Sequence, residues 1–192
     1  RHEPPEHTLR AARLAARHAG HGVIGFDLAG AEAGHPPRDH AAAFAAARDA
    51  GLGLTCHAGE ADVGARVLEA AALGATRIGH GIHIVDDATH LGRASELGLH
   101  FEVCPSSNVH TGAAASLSAH PIREMLAAGL SLSVSTDNRL MSGVSLSSEL
   151  QTLHDLLGFS LVQIRRLQRE AAAASFMPDA SRAAALRALG PA

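Results

Sequence analysis

No stretch of this 192-residue chain approaches the ~20 consecutive apolar residues of a membrane span, and its opening, RHEPPEHTLR, has none of the features of a secretory signal. No run of Lys and Arg is longer than the Arg165-Arg166 pair and the formal charge is -3, so the electrostatic footprint of a nucleic-acid binder is missing. Cysteine is scarce. Cys56 and Cys104 each sit inside an apolar run, which suits buried reduced thiols and a reducing cytoplasm better than a disulfide. A P-loop pattern, a repeat at solenoid period and an internal linker are also lacking. These absences leave a cytoplasmic protein whose partner is a small molecule, with neither nucleic acid nor membrane involved. An initiator Met is lacking too, so the chain, beginning at Arg1, reads as a fragment or a processed product.

What is present is an ordinary globular composition, 46% apolar and 18% charged, in a length that suits one domain over 1–192. Helical segments ended by glycine alternate with short apolar runs. A helix capped by Thr8 and running through Arg17 precedes a strand over Val23 to Phe26; further helices lead to strands at Leu52 to Cys56, Thr76 to Gly79, Leu99 to Val103 and Leu130 to Ser135. From about Ser145 the tail reads as two or three helices. Short, almost wholly apolar strands between helices indicate an α/β fold with a parallel sheet covered on both faces. Polar and ionisable residues collect just after the strands, as at the rim of a (β/α)8 TIM barrel. About five strands plus C-terminal helices make only a partial barrel, short of the ~8 strands that closure needs.

In His57-Ala58-Gly59-Glu60, a His of the type that ligates zinc is followed, in one strand-to-helix turn, by a carboxylate placed for general acid/base work. The pair alone is equally compatible with a core histidine and a glutamate that opens a helix. His80 lies between Gly79 and Gly81, which leave its imidazole uncrowded. Asp137 ends the fifth apolar run, where an isolated carboxylate is costly unless it is paired or binds a metal, and it completes a set with His57. Asp27 reads as a structural hydrogen-bonding group ahead of a catalytic one. His100, His110 and His120 read as solvated or locally bonded, His83 as a weaker candidate, and Arg165, Arg166 and Arg169 as the outer face of a helix.

Taken in order, GFDLAGAE from Gly25, HAGE from His57, RIGHGIH from Arg77, FEVCPSSN from Phe101, HP at His120 and STDN from Ser135 resemble the adenosine deaminase family. The similarity extends over roughly Arg1 to Met177 and corresponds to the family's C-terminal portion. It implies a metallo-dependent hydrolase barrel, truncated at its N-terminus, that deaminates adenosine and 2′-deoxyadenosine to inosine and ammonia. It further implies His57 and Asp137 as ligands of one Zn²⁺ per complete site, Glu60 as proton donor and acceptor, His80 orienting the attacking hydroxide, and Gly30 binding the purine through its backbone. The chain departs from the family in two places. The H-x-H pair that supplies two further zinc ligands does not occur, so a missing N-terminal segment is needed to complete the site, and the fragment alone is expected to be inactive. Asn138 stands where the family usually has a second Asp against the purine ring, which keeps other 6-aminopurine compounds open as substrates. The alternatives are a non-catalytic or partner-dependent remnant of this fold, and an unrelated metal-dependent hydrolase on the same barrel.

Overall fold

Pro5 opens the first helix, α1 (Pro5–Arg17), because its fixed φ suits the first helical turn and its missing N–H would have no partner there. Thr8, expected as the cap, lies inside this helix instead. The computed structural model describes residues 1–191, in two compact units that meet in sequence between Leu99 and His100.

In the first unit α1 is followed by β1 (Gly25–Leu28), α2 (Ala41–Asp49), β2 (Gly53–Ala58), α3 (Ala65–Ala72), β3 (Arg77–His80) and α4 (Ala88–Glu96), with 3-10 turns at Pro37–His40 and Ile82–Asp86. β1 pairs in parallel with β2, and β2 with β3. The register sets Phe26 beside Leu54 and Leu28 beside Cys56, and all of these are buried. β1 therefore starts at Gly25 rather than at Val23. Ile24 is half exposed, so inward alternation of Phe26 and Leu28, and not the apolar run itself, decides the strand's position. The Phe26 ring meets Phe44 of α2 edge-on at 5.6 Å and 88°. α1 packs on α2, and the buried Ala12, Ala43 and Ala47 keep side-chain bulk out of these helices' inner faces.

His40 ends the first 3-10 turn, buried, with Nε2 donating to the Arg1 carbonyl at 2.9 Å. Burial holds its pKa below the ordinary 6.5, while the bond to Arg1 and the nearby Asp39 work the other way. The fold thus prefers the neutral ring. Its contribution to stability is present above pH 6.5 and is lost as the pH falls, because the unfolded chain then takes up the proton more readily. Urea unfolding followed from about pH 7 to about pH 5 is expected to show falling stability, and His40→Gln to weaken that dependence. An unchanged slope in the variant would place the acid sensitivity elsewhere.

The second unit holds β4 (His100–Val103), α5 (Pro105–His110), α6 (Ile122–Ala127), β5 (Ser131–Val134), α7 (Arg139–Ser142), α8 (Leu146–Asp155), α9 (Leu161–Ala174) and α10 (Asp179–Leu189). β4 and β5 are parallel, and α9 packs on both. Phe101, Leu132, Ile122, Met125, Leu153 and Leu167 are buried around them. His100 and His120 are locally bonded rather than solvated. The His100 ring nitrogens reach the Ser131 and Ser133 hydroxyls, each at 2.9 Å. His120 Nδ1 accepts the Ile122 N–H at 3.1 Å, so Nε2 carries the hydrogen and donates to Asn108 Oδ1 at 3.2 Å. The arginine group divides: Arg165 is exposed, Arg166 pairs with Glu170 at 2.6 Å, and Arg169 turns to the Leu186 and Gly190 carbonyls at the end of α10. Only Arg165 is a plain outer-face residue, because the other two meet partners of opposite charge or exposed carbonyls within reach.

Candidate active site

β2 alternates, with Leu54, Cys56 and Ala58 buried and His57 on the other face, its side chain 30% exposed. His57 Nδ1 lies 3.1 Å from Asp27 Oδ2 at the corresponding end of β1. A histidine tied at one nitrogen to a carboxylate has its tautomer and ring plane fixed, so Nε2 is the nitrogen that a metal would use. The contact that Asp27 makes here is thus a hydrogen bond to His57. Beneath them the buried Cys56 thiol is pushed up to about 12 by desolvation, which keeps it neutral and unreactive.

Gly79 of β3 pairs in register with His57, and a Cβ added there would stand 3.0 Å from the ring's Cγ and Nδ1. Its lack of a side chain makes room for His57, where the expectation was room for His80. His80 follows, buried, with its ring centroid 5.2 Å from that of His57 and Nε2 3.4 Å from Glu60 Oε2. The first unit thus brings Asp27, His57, Glu60 and His80 together at the C-terminal ends of three parallel strands. His83, in the turn beyond, pairs with Asp86 at 2.8 Å. Gly30 sits in the loop after β1, beside Arg1 and His2.

In the second unit Asp137 follows β5, is exposed rather than buried, and accepts the Ser107 hydroxyl at 2.6 Å. The turn that carries Ser107 is held from behind by buried Glu149, which accepts the Ser106 N–H at 3.2 Å. Asn138 caps α7, its Oδ1 accepting the Leu140 and Met141 N–H groups at 3.2 Å each. That carbonyl is committed to the helix, which leaves the Nδ2 amide as the part of Asn138 available to a ligand as a donor.

His80 at φ 61 and Asp137 at φ 53 are the non-glycine residues with positive φ among the described residues. Backbone strain of this kind collects at functional sites, and here it falls on two residues chosen for their chemistry alone. Among the described residues no group of three or more His, Cys, Asp and Glu side chains is disposed to hold a metal ion. The imidazole and carboxylate donors are of the right kind for zinc but too few for a catalytic site, which keeps about three protein ligands. Glu32 is the residue that sequence reasoning missed. It is buried in the loop after β1 and accepts three backbone N–H groups from the turn that carries Glu60. Its signals were an acidic residue in a short apolar, glycine-containing loop and its place at the end of the GFDLAGAE segment.

A family model described as adenosine deaminase matches residues 1–189. The adenosine deaminase of Mycobacterium tuberculosis (strain ATCC 25618 / H37Rv) is 43% identical over 179 residues, which is 87% of this chain and 49% of that protein. The adenosine deaminase of Mycobacterium ulcerans is 42% identical over 178 residues, 86% of this chain and 49% of that protein. The chain spans about half the length of the curated relatives it matches. Among solved structures, an adenine deaminase from Arthrobacter aurescens superposes with a TM-score of 0.90 at 32% identity, covering 98% of this chain and 57% of that one. An amidohydrolase from Burkhoderia ambifaria with bound Zn gives 0.88 at 25% identity, covering 98% and 53%. The five parallel strands and their helices are part of a deaminase-type (β/α)8 barrel.

Proposed function

The chain belongs to the adenosine deaminase family, and from that premise we propose that it contributes half of the active site of a cytoplasmic purine-salvage enzyme. That enzyme hydrolyses adenosine and 2′-deoxyadenosine at C6: water adds, the C6–amine bond breaks, and ammonia leaves. The observation that carries this reading is the approach of Glu60 to His80, 3.4 Å apart, beside a His57 oriented by Asp27. Nucleosides are preferred to free bases because the curated relatives at 43% and 42% identity are adenosine deaminases, above the 32% of the adenine deaminase. The donor-only Asn138 favours a second reading, a deaminase of another 6-aminopurine compound.

His57 and Asp137 would hold the zinc, with the remaining ligands supplied from outside this chain by the segment that corresponds to the rest of the relatives' length. When bound, zinc supplies a water whose pKa is lowered toward ~7. Glu60 gives a proton to a purine ring nitrogen, which makes C6 electrophilic, and relays protons from the attacking water to the leaving amine. His80 holds that water in line. The Gly30 backbone and Asn138 Nδ2 meet the purine ring.

The purified chain is expected to hold substoichiometric zinc by atomic absorption and to leave adenosine unchanged in an absorbance assay. Adding, as a separate polypeptide, the part of the Mycobacterium tuberculosis relative that this chain does not match should restore both. A reconstituted pair that binds no zinc and releases no ammonia would sink the reading. Stoichiometric zinc and turnover by the chain alone would show the ligand set to be wrong.

A further inference from the structure

We infer that Glu32 is a positioning residue that shapes the turn carrying Glu60. Its side chain is 4% exposed. Oε1 accepts the Gly59 N–H at 2.5 Å, and Oε2 accepts those of Glu60 and Ala61 at 2.9 Å each. Three successive amides aimed at one anion form a nest, a backbone concavity that repels itself unless a negative charge fills it. Here the filling charge comes from the chain's own loop after β1. Gly59, at φ 74, supplies the left-handed step that such a concavity needs.

A buried carboxylate with no compensation is expensive. Glu32 is compensated by the three amides and by the Arg1 guanidinium at 4.0 Å, which itself donates to the His57 carbonyl at 2.5 Å. The same anion therefore underlies both residues of the turn: Glu60 through its own N–H, and His57 through Arg1. Glu60 thus faces His80 from a backbone held at its own N–H. Glu32 touches neither substrate nor metal in this scheme. The inference rests on the deaminase reading only in naming Glu60 as the group whose placement matters.

The test uses Glu32→Gln, which preserves size but replaces one accepting oxygen with an N–H donor that meets another donor. In the ¹⁵N-labelled chain, hydrogen exchange at Gly59, Glu60 and Ala61 is expected to accelerate at least about tenfold relative to Leu54 and Cys56 in β2, as loss of a charge-assisted acceptor predicts. Equal acceleration at the turn and in β2 would mean a merely structural role and overturn the inference, as would no change at the turn. In the reconstituted pair, kcat for adenosine is expected to fall with KM held, and a kcat within about twofold of the parent would also overturn it. A parent pair that fails to deaminate defeats the deaminase reading, while the exchange measurement still decides whether Glu32 organises the turn. Should Glu32→Gln not fold, Glu32→Asp keeps the charge, draws the oxygens back by one methylene, and is expected to give an intermediate acceleration confined to the same amides.

Discussion

In the reconstituted enzyme, Glu60→Gln is expected to lower kcat/KM for adenosine by ~10²–10⁴-fold, the range typical of general acid/base groups, without changing zinc content. The amide keeps the size of the carboxylate and its hydrogen-bonding reach toward His80 Nε2, now 3.4 Å away. What it removes is the ability to hold a proton and release it. Because the side chain is not among the groups assigned to the metal, metal binding and proton transfer separate cleanly in this variant. Near-normal ammonia release would assign the proton relay to another residue. Loss of zinc together with activity would instead make Glu60 a ligand.

The second large effect is on stability. Gly64 caps the start of α3, and a Cβ there would stand 2.3 Å from the His83 carbonyl oxygen and 2.9 Å from Ile84 Cα. Both are backbone atoms of a turn whose Ile82 and Ile84 side chains are buried, so neither side can yield by rotating a side chain. Gly64→Ala is therefore expected to destabilise the chain by ~1–3 kcal/mol or more, as overpacking does. Urea denaturation of the two proteins measures this directly. A difference within about 0.5 kcal/mol, the scale of an ordinary surface change, would mean that the α3 start and the following turn are less closely apposed than described.

Much of the scaffold could be read before any coordinates. Gly51 and Gly74, each expected to stop a helix, sit just past α2 and α3 with φ 75 and 98, because the left-handed turn there needs a residue without a Cβ. Four of the five strands lie where apolar runs were found, since burial and periodicity are both local properties of the sequence, while β1 sits two residues beyond the start of its run. Two of the short helices were not legible. α5 begins at Pro105 inside the CPSSN segment and α7 at Arg139, and neither is long enough to show a period. Of the candidate residues, His57, Glu60 and His80 announced themselves by their place after a strand. Glu32 could not, because its meaning arises from a contact between loops 27 positions apart, which no spacing rule encodes. Asn is a common helix cap, but the likeness of Asn138 to a ring-binding position hid this simpler local use of its oxygen.

The left-handed backbone at His80 and Asp137 bears on stability as well as on chemistry. Such a conformation costs a side-chain-bearing residue about 1–2 kcal/mol that glycine does not incur, so at these two places folding by itself favours glycine. A histidine and an aspartate stand there against the preference of their own backbone, so the fold carries a cost at these places that it recovers elsewhere.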